Sequence, residues 1–303
     1  MKLYQNSTVL SAQPLGGYTL SEGPYEWIDK LIDHWNRSRL VIDQMSEAFP
    51  LHNHYKYIHN KIPRGKPLYI ITSNLYEQKR YKRWFKAQSQ FTTPINIIAQ
   101  PVWAERVKTD HVPIPIKEYN NTRKHLFNCL NRQNRQHRLS IIIKLKKLGL
   151  IKNNLVSYPE HEELENSPLV VDRKDFDVNW ANNFNRDIFL NTWFSVVNET
   201  FFNEDAMFHS EKIFKTILAA HPFVIVGKNN SLKSLHKLGF KTFNNFWSED
   251  YDKEIDQEKR LQKIVETIDY ICKLDWQTIW PDISKIIEYN QAFLLHNRFA
   301  DYD

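Results

Sequence analysis

Short apolar runs alternate with amphipathic stretches along most of the chain. The runs are bounded by polar or turn-forming residues, as buried strands are, and they lie at residues 40–43, 68–72, 94–98, 125–130, 193–197, 223–226 and 241–243. Stretches with helical spacing of apolar residues separate them. Strands that alternate with helices predict parallel sheets covered on both faces, so the predicted fold class is α/β.

Helices are predicted where apolar spacing coincides with a start or stop signal. The predicted helices cover residues 24–35, 136–148, 211–220, 232–238, 259–273 and 281–297. Pro24 marks a start, Ser210 and Ser231 are N-caps, and Gly149 and Gly239 mark stops.

Residues 104–122 interrupt this alternation. Pro113 and Pro115 stand in extended company there, which is typical of a connection between domains. The sequence therefore predicts an N-terminal α/β domain over 1–121 and a second α/β domain over 122–280. A C-terminal helix within 281–303 is expected to return toward the first domain.

Composition narrows the class of protein. The chain has 303 residues, of which 42% are hydrophobic and 25% charged, and these proportions are typical of a globular protein. No apolar run approaches the ~18 residues that span a bilayer, and the first 17 residues are too polar for a signal peptide. Two cysteines, Cys129 and Cys272, lie in apolar stretches. We expect reduced, buried thiols in a cytoplasmic protein without a membrane span.

The positive charge is concentrated in the first part of the chain. Residues 1–121 hold 16 Lys and Arg against 10 Asp and Glu, whereas residues 122–303 hold 25 of each. The densest basic stretch is 79–86, which follows a predicted strand. Such a stretch would attract an anionic partner such as nucleic acid. It would equally fit a solvated helix face whose lysine and arginine stems cover aromatic rings.

Acidic and basic residues gather where one predicted strand ends and the next helix begins. Glu199 closes the strand 193–197, and Ser210, Glu211, Lys212 and Lys215 open the following helix. Ligands of parallel sheets bind outside the carboxyl ends of the strands. There a carboxylate can bind ribose hydroxyls, while lysines and a helix N-terminus can meet phosphate. A glutamate at a helix start also gains ~0.3–1 kcal/mol from the helix dipole without any ligand.

A second polar element, residues 131–138, follows the strand 125–130. It contains Asn131 and three arginines, Arg132, Arg135 and Arg138, at spacings that place them near one helical face. Guanidinium groups there could hold a diphosphate and neutralise the charge that develops as a nucleoside diphosphate departs. The alternative is an ordinary polar helix start.

Metal use and several enzyme classes have weak or no support. Asp-x-Asp triplets occur at 175–177, 250–252 and 301–303, but a charged chain produces such triplets by chance, and the second lies in a run of acids that we expect to be solvated. The chain has no His-Glu-x-x-His motif, no dinucleotide or Walker glycine loop and no Gly-x-Ser-x-Gly elbow. We therefore expect no metal and no other cofactor.

The residues around Glu199 resemble the donor-binding half of the fucosyltransferase and exostosin-like glycosyltransferases. The resemblance is carried by Glu199, Ser210-Glu211-Lys212-Ile-Phe-Lys215, the strand from Pro222 that ends at Gly227, and residues 238–243. It covers roughly residues 124–245. Thr200 stands where the family has Asn, and Ser210 stands where it has Thr. The family's GT-B arrangement implies two Rossmann-like domains that face a cleft.

The resemblance also implies roles for the residues. Glu211 would hold the ribose, Lys212 and Arg138 the phosphates, and Glu199 a hydroxyl of the sugar or the base. Asn131, Arg135, Ser210 and Lys215 would complete the donor site.

The implied reaction is inverting and metal-independent, with a GDP- or UDP-type sugar donor and a hydroxyl acceptor, expected to be a glycan. Inversion requires a general base, expected from the first domain: Glu47, or alternatively Asp43 or Glu22. One alternative acceptor is a hydroxylated DNA base bound through the basic first domain. Another alternative is a binding module without catalysis.

Overall fold

A computed structural model describes residues 7–11, 39–44, 48, 50–62, 67–131, 133–158 and 184–299. Within them the chain is an α/β protein with two four-stranded parallel sheets, which confirms the predicted fold class. Several predicted features lie outside the described residues, namely the helix that starts at Pro24, the acids Glu22 and Glu47, Arg132, and the Asp-x-Asp triplets at 175–177 and 301–303.

The chain divides into two compact units. The first contains residues 1–102, 205–208 and 298–303, and the second contains residues 103–204 and 209–297. No helix in the described ranges is long and apolar enough to cross a membrane.

The first unit contains one parallel sheet in the order β1-β2-β3-β4. Its strands are Ser7–Ser11, Arg39–Gln44, Leu68–Thr72 and Asn96–Ala99. Its helices are α1 (Tyr55–Lys61) and α2 (Glu77–Lys86). The core between sheet and helices includes Ile70, Ile97, Ile58 and Tyr81.

A buried carboxylate fixes the start of α2. Glu77 is 0% exposed, and it accepts hydrogen bonds from the Leu51 amide at 3.1 Å, from Asn74 Nδ2 at 2.7 Å and from the Tyr55 hydroxyl. Burial raises the pKa of Glu77. Because the donors come from two separate segments, residues 51–55 and the turn before α2, the first turn of α2 is held firmly on the core.

The second unit carries the other sheet and most of the helices. Its strands are β5 (His125–Cys129), β6 (Leu155–Val156), β7 (Thr192–Asn198) and β8 (Phe223–Val226). Its helices are α3 (Val102–Asp110, beginning at the unit boundary), α4 (Gln136–Lys147), α5 (Arg186–Leu190), α6 (Glu211–Leu218), α7 (Ser231–Leu238), α8 (Gln257–Cys272) and α9 (Trp276–His296).

The second sheet reverses its strand order. All strands are parallel and the order is β6-β5-β7-β8, so the chain leaves β5 toward one side and returns to pair β7 on the other side. Every residue of β7 and β8 is buried, as expected for parallel strands covered on both faces. This reversal defines a topological switch point at the carboxyl ends of β5 and β7.

Several element boundaries agree with the sequence prediction. The strands at 68–72 and 223–226 have the predicted limits, and those near 40, 94, 125 and 193 are displaced by one or two residues. Gly149 and Gly239 both adopt left-handed backbone conformations at the ends of helices, as predicted for stop signals. Ser210 caps α6 through its hydroxyl, which accepts from the Lys212 amide at 3.3 Å.

One predicted strand was wrong, and helix α3 was not predicted. Residues 102–110 form helix α3. The predicted connection therefore leaves helical structure only after residue 110, near Pro113 and Pro115. Residues 241–243 are not a strand. Their amides are satisfied by side chains instead: Lys241 N donates to Asn290 Oδ1 at 2.8 Å and Phe243 N donates to Glu249 Oε1 at 2.8 Å.

The start of α7 also differs from the prediction. Asn230, in a left-handed conformation, precedes the helix, and Ser231 is its first residue rather than its N-cap. The capping group is the Asp252 carboxylate, which accepts from the amides of Leu232 at 2.8 Å and Lys233 at 3.1 Å. Asp252 is 7% exposed, so the expectation that acids 250–252 are solvated was wrong for this residue.

The last helix begins earlier than predicted. Asp275 accepts hydrogen bonds from the amides of Gln277 and Thr278, so α9 starts at Trp276 and continues through Pro281. Pro281 is the sixth residue of this helix, just beyond the first turn, so the helix lacks the amide that would donate to the Gln277 carbonyl. Cys129 is buried and Cys272 is half-buried, and both are free thiols.

Candidate functional site

The candidate site lies at the switch point of the second sheet. Arg135 and Arg138 follow β5, and Glu199 directly follows β7 and continues its ladder through a 2.9 Å bond from its amide to the Val226 carbonyl. Gly227 follows β8 at the same edge, where an added Cβ would come within 3.4 Å of Glu199 Cβ. Residues far apart in sequence therefore meet at the edge where parallel sheets bind ligands.

Glu199 is a buried carboxylate that joins β7 to α6. Its side chain is 1% exposed and accepts from the Ser210 amide at 3.2 Å and from the Thr200 amide at 3.3 Å. Burial raises the pKa of Glu199, the nearby charge of Lys212 lowers it, and the charge of Glu211 raises it. The carboxylate thus holds Ser210, the N-cap residue of α6. Its ionised form is disfavoured because it is buried.

Glu211 and Lys212 form an ion pair at the first turn of α6. Lys212 Nζ lies 2.7 Å from Glu211 Oε1 and 3.4 Å from Ser210 Oγ. Glu211 is 3% exposed, whereas the Lys212 side chain is 23% exposed. The Ser210 amide donates to the Glu199 carboxylate, and the Lys212 amide donates to the Ser210 hydroxyl. Side chains therefore already bind two of the amide donors at this helix start. Lys215 is half-buried one turn later.

Arg138 connects α4 to the end of β7. It is 3% exposed, and its Nη2 donates to the carbonyl oxygens of Glu199 at 3.2 Å and Asn198 at 3.4 Å. Burial lowers the pKa of Arg138, Arg135 lowers it further, and Glu199 and Glu211 raise it. Both carboxylates of the site therefore act on this guanidinium, whose buried Nε has no hydrogen-bond partner among the described residues.

The predicted row of arginines on one helical face was wrong. Helix α4 begins at Gln136, and Arg135 precedes it in an extended conformation with φ −134° and ψ 139°. Arg135 instead donates from Nη1 to the Thr200 carbonyl at 2.9 Å. Arg135 and Arg138 thus approach the same loop from different backbone conformations.

Asn131 ties the ends of three strands together. Its amide Nδ2 donates to the Ser157 carbonyl at 3.1 Å beyond β6, and its Oδ1 accepts from Asn198 Nδ2 at 2.8 Å at the end of β7. Its backbone amide donates to Ser157 Oγ at 3.0 Å. Because both polar groups of its side chain bind other protein groups, Asn131 holds the strand ends together at the switch point.

Cations hold alternate carbonyls of the loop that follows Glu199. Arg135 binds the carbonyl of Thr200, Arg260 Nη2 that of Phe202 at 2.7 Å, and Lys228 Nζ that of Glu204 at 2.6 Å. The guanidinium of Arg260 also lies 4.2 Å from the Phe202 ring centroid. Sequence reasoning missed Arg260 and Lys228, because both lie outside the motifs around Glu199.

His137, which sequence reasoning also missed, lies beside Glu199 in neutral form. Its Nε2 is 3.1 Å from the Glu199 carbonyl oxygen, and its ring stacks on Phe202 at 5.3 Å. Burial and the neighbouring Arg138 lower the pKa of His137 to about 4. A neutral imidazole adds a hydrogen bond here without adding a positive charge. The positive charges of the site are therefore those of its arginines and lysines.

The structure describes one of the three candidate bases. Asp43 is the penultimate residue of β2, and in the parallel register it lies opposite Ile71 of β3 and Ser11 of β1. It therefore stands near the carboxyl end of the first unit's sheet, within the strand rather than after it. Glu47 and Glu22 remain predictions, since both lie outside the described residues.

Neither a metal-binding group nor the cavity beside α7 coincides with the charged cluster in the described residues. Among the described residues, no group of three or more His, Cys, Asp or Glu could hold a metal ion. A cavity of about 570 Å³ lies instead beside the start of α7, lined by residues that include Asn230, Lys233, His236, Glu249 and Asp252. Two acids of that cavity, Glu249 and Asp252, already accept hydrogen bonds from backbone amides, so the cluster around Glu199 is the better candidate site.

Comparison with known proteins gives little beyond the geometry. No protein-family model matches the chain, and no curated protein matches it. A solved structure of a T4 phage BGT mutant in complex with UDP-glucose shares 8% sequence identity with this chain at a TM-score of 0.37. The similarity covers 84% of this chain and 68% of that one. This likeness is too low to assign a shared fold or activity.

Replacing Glu199 with glutamine tests whether the ionised carboxylate contributes to the stability of the fold. Because the pKa of Glu199 is raised, its contribution to stability is present at low pH and is lost as pH rises through that pKa. At pH 8, Glu199→Gln should therefore melt at the same temperature as the wild type or higher, measured by differential scanning calorimetry. A clearly lower melting temperature at pH 8 would show that the ionised carboxylate stabilises the fold.

Proposed function

We propose that the chain is an inverting glycosyltransferase that moves a sugar from a nucleoside-diphosphate sugar to a hydroxyl acceptor. One observation carries the proposal: Glu199, Glu211, Lys212 and Arg138 gather at the carboxyl edge of β5 and β7, where the strand order reverses. Carboxylates there suit ribose or sugar hydroxyls, and the cations suit a diphosphate.

The proposed roles follow from exposure and charge. Lys212 is the most exposed of the four groups, so its ammonium is proposed to meet the diphosphate, assisted by Lys215 and the guanidinium of Arg138. Glu211 is proposed to bind the ribose and Glu199 a hydroxyl of the sugar or base. Arg135 and Asn131 are proposed to act mainly by holding the strand ends and the loop, because their polar groups bind protein carbonyls.

Charge stabilisation by fixed cations is proposed to replace a metal. A leaving nucleoside diphosphate gains negative charge, and preorganised cations lower the barrier without reorganisation. Inversion then requires a base that takes the proton of the acceptor hydroxyl as it attacks. Glu47 is proposed for this role, with Asp43 and Glu22 as alternatives, and a glycan hydroxyl is the proposed acceptor.

A thermal-shift experiment tests the donor site. The full chain is melted with GDP, UDP, dTDP and CMP and with their sugars, each with and without EDTA. One nucleoside diphosphate should raise the melting temperature equally with and without chelator. A ligand at about one hundred times its Kd stabilises by about 2.7 kcal/mol. Glu211→Gln and Lys212→Gln should weaken that ligand at least tenfold, whereas Lys237→Gln, at an exposed position on α7, should not.

The outcomes separate the competing readings. Absence of a shift with every nucleotide would contradict the donor site. A shift without slow release of sugar from the nucleotide sugar would favour a binding module that lacks catalysis. Where release occurs, a variant among Glu47→Gln, Asp43→Asn and Glu22→Gln that abolishes release but keeps the shift identifies the base.

A further inference from the structure

Helix α2 of the first unit presents a stripe of cations. Lys79, Lys82, Arg83 and Lys86 are all exposed and stand at positions i, i+3, i+4 and i+7. At 100° per residue these positions fall within about a third of the helix circumference. Seven residues of helix rise about 10 Å, so the four charges form one compact row. We call these four residues the α2 stripe.

Among the residues that the structure describes, no acid forms an ion pair with the α2 stripe. Within residues 50–62 and 67–91 the sequence has seven Lys and Arg but a single acid, Glu77, which is buried. Asp205 is engaged by Arg80, at 2.7 Å from its Nη2. None of the ion pairs among the described residues includes a member of the α2 stripe.

The opposite side of α2 is anchored, so the stripe faces outward on a firm support. Tyr81 is 3% exposed and its hydroxyl accepts from the Ile95 amide at 2.6 Å. Trp84 and Phe85 pack against the core of the first unit, and His59 of α1 stacks on both rings at 5.5 Å. A helix fixed in this way can present its charges without a cost of ordering its backbone.

The chemistry of the stripe selects among anionic partners. Its charges are spaced at about one per 2.6 Å of helix, which approaches the one charge per about 1.7 Å of a nucleic-acid duplex. The exposed large apolar side chains of the described residues all lie elsewhere, so α2 offers nothing to insert into a lipid layer. Of its rings, Tyr81 is buried, and Trp84 and Phe85 are half-buried against the core, so α2 offers no fully exposed ring on which unpaired bases could stack.

We infer that the α2 stripe binds the phosphate backbone of a nucleic-acid duplex without sequence preference. Lysine and arginine contacts to phosphates position a protein on a duplex, and sequence is read by other groups. The inference goes beyond the proposed donor site and does not depend on it. A duplex bound to the first unit would favour a hydroxylated base over a glycan as the acceptor.

Fluorescence anisotropy with labelled duplex DNA tests the inference. The full chain should bind, and log K should fall against log salt with a slope near −3.6, because four neutralised phosphates each contribute about −0.9. The variant Lys79→Gln/Lys82→Gln/Arg83→Gln/Lys86→Gln should bind at least tenfold more weakly at low salt and lose most of that slope. Glutamine has a helix propensity similar to that of lysine and arginine, so α2 should stay folded.

A matched control removes the same charge elsewhere. Lys147→Gln/Lys152→Gln/Lys237→Gln/Lys259→Gln changes four exposed lysines of the second unit and lowers the net charge equally. It should keep the affinity within about threefold and the slope unchanged. Equal loss in both variants would overturn the inference, because net charge alone would then explain binding.

Competition settles the kind of partner. Polyglutamate or anionic phospholipid vesicles that displace the duplex at equal charge concentration would overturn the assignment to nucleic acid, and so would tighter binding of single strands than of duplex. If the α2 variant keeps its nucleotide-induced thermal shift while losing the duplex, the two sites are independent. Loss of the shift in the wild type with duplex binding intact would contradict only the donor site.

Discussion

Gly239→Ala is expected to destabilise the second unit by about 3 kcal/mol. Gly239 ends α7 with φ +102°, where an alanine pays about 1–2 kcal/mol for the left-handed backbone. A Cβ there would also lie 2.3 Å from Phe293 Cζ of α9, so the ring must move. Phe293 packs against Phe240 at 5.2 Å and Tyr289 at 5.8 Å, and displacing it should add about 1–2 kcal/mol.

Chemical denaturation with urea measures this loss, and two controls divide it. Gly149→Ala shares the left-handed backbone, with φ +73°, but its Cβ would meet nothing within 4 Å. It should cost only the backbone part, about 1–2 kcal/mol. In a double-mutant cycle, Phe293→Ala should reduce the destabilisation caused by Gly239→Ala, because it removes the overlap. Equal effects of Gly239→Ala and Gly149→Ala would show that α9 does not press on this turn.

His221→Asn is expected to destabilise the protein less as the pH falls. In the wild type, His221 Nε2 is 2.8 Å from the Thr192 carbonyl and Nδ1 is 2.8 Å from Ser195 Oγ, which also accepts from Asn128 Nδ2 at 3.0 Å. A neutral imidazole fits this arrangement, with Nε2 donating to the Thr192 carbonyl and Nδ1 accepting from Ser195 Oγ. Burial, with a further contribution from Arg123, lowers the pKa of His221 to about 3.

The direction of the effect follows from linkage. The unfolded chain binds a proton at His221 below its ordinary pKa of 6.5, whereas the folded protein does not until about 3. The wild type therefore has this stability above pH 6.5 and loses it as the pH falls, by about 1.4 kcal/mol per pH unit. Between pH 8 and pH 5 the destabilisation caused by His221→Asn should shrink by about 2 kcal/mol.

Urea unfolding at both pH values measures this difference. His296→Asn, which changes an exposed histidine at the end of α9, should show no comparable change between them. A destabilisation by His221→Asn that is the same at pH 8 and pH 5 would mean that the folded protein protonates this imidazole as readily as the unfolded chain.

The strands were predictable because buried parallel strands are continuous apolar runs. The stretches Leu68–Thr72 and Phe223–Val226 have almost no polar residue and match the structure at both ends. The strand Ser7–Ser11 was missed because three of its five residues are Ser or Thr. Its position at the edge of the first sheet tolerates that composition, since an edge strand has a ladder partner on one side only.

The local part of the candidate site was also predictable. Glu199 and the Ser210–Lys212 turn are joined by one strand–loop–helix connection, and the rule for parallel sheets places both at the carboxyl edge. The partners of that turn were less accessible to sequence reasoning. Arg260 reaches the Phe202 carbonyl from 58 residues away, and no local pattern encodes such a contact.

Two of the wrong assignments share a physical cause. In 241–243 and at the start of α7, side chains of Glu249, Asn290 and Asp252 take the hydrogen bonds that backbone or hydroxyl groups were expected to make. Asn290 lies 49 residues from Lys241 and Asp252 lies 20 residues from Leu232, whereas Glu249 lies six residues from Phe243. Local propensity predicts which backbone groups need partners, whereas tertiary packing decides which partners they find.

The amide of Asn131 spans the ends of β5, β6 and β7 and has consequences for how this protein can diverge. An exchange of Asn131 alone would leave Asn198 Nδ2 and the Ser157 carbonyl buried without their bonds to it. Because the Ser157 carbonyl belongs to the backbone, only positions 131 and 198 are coupled through their side chains, and relatives of this chain should show these two residues inherited together or replaced together.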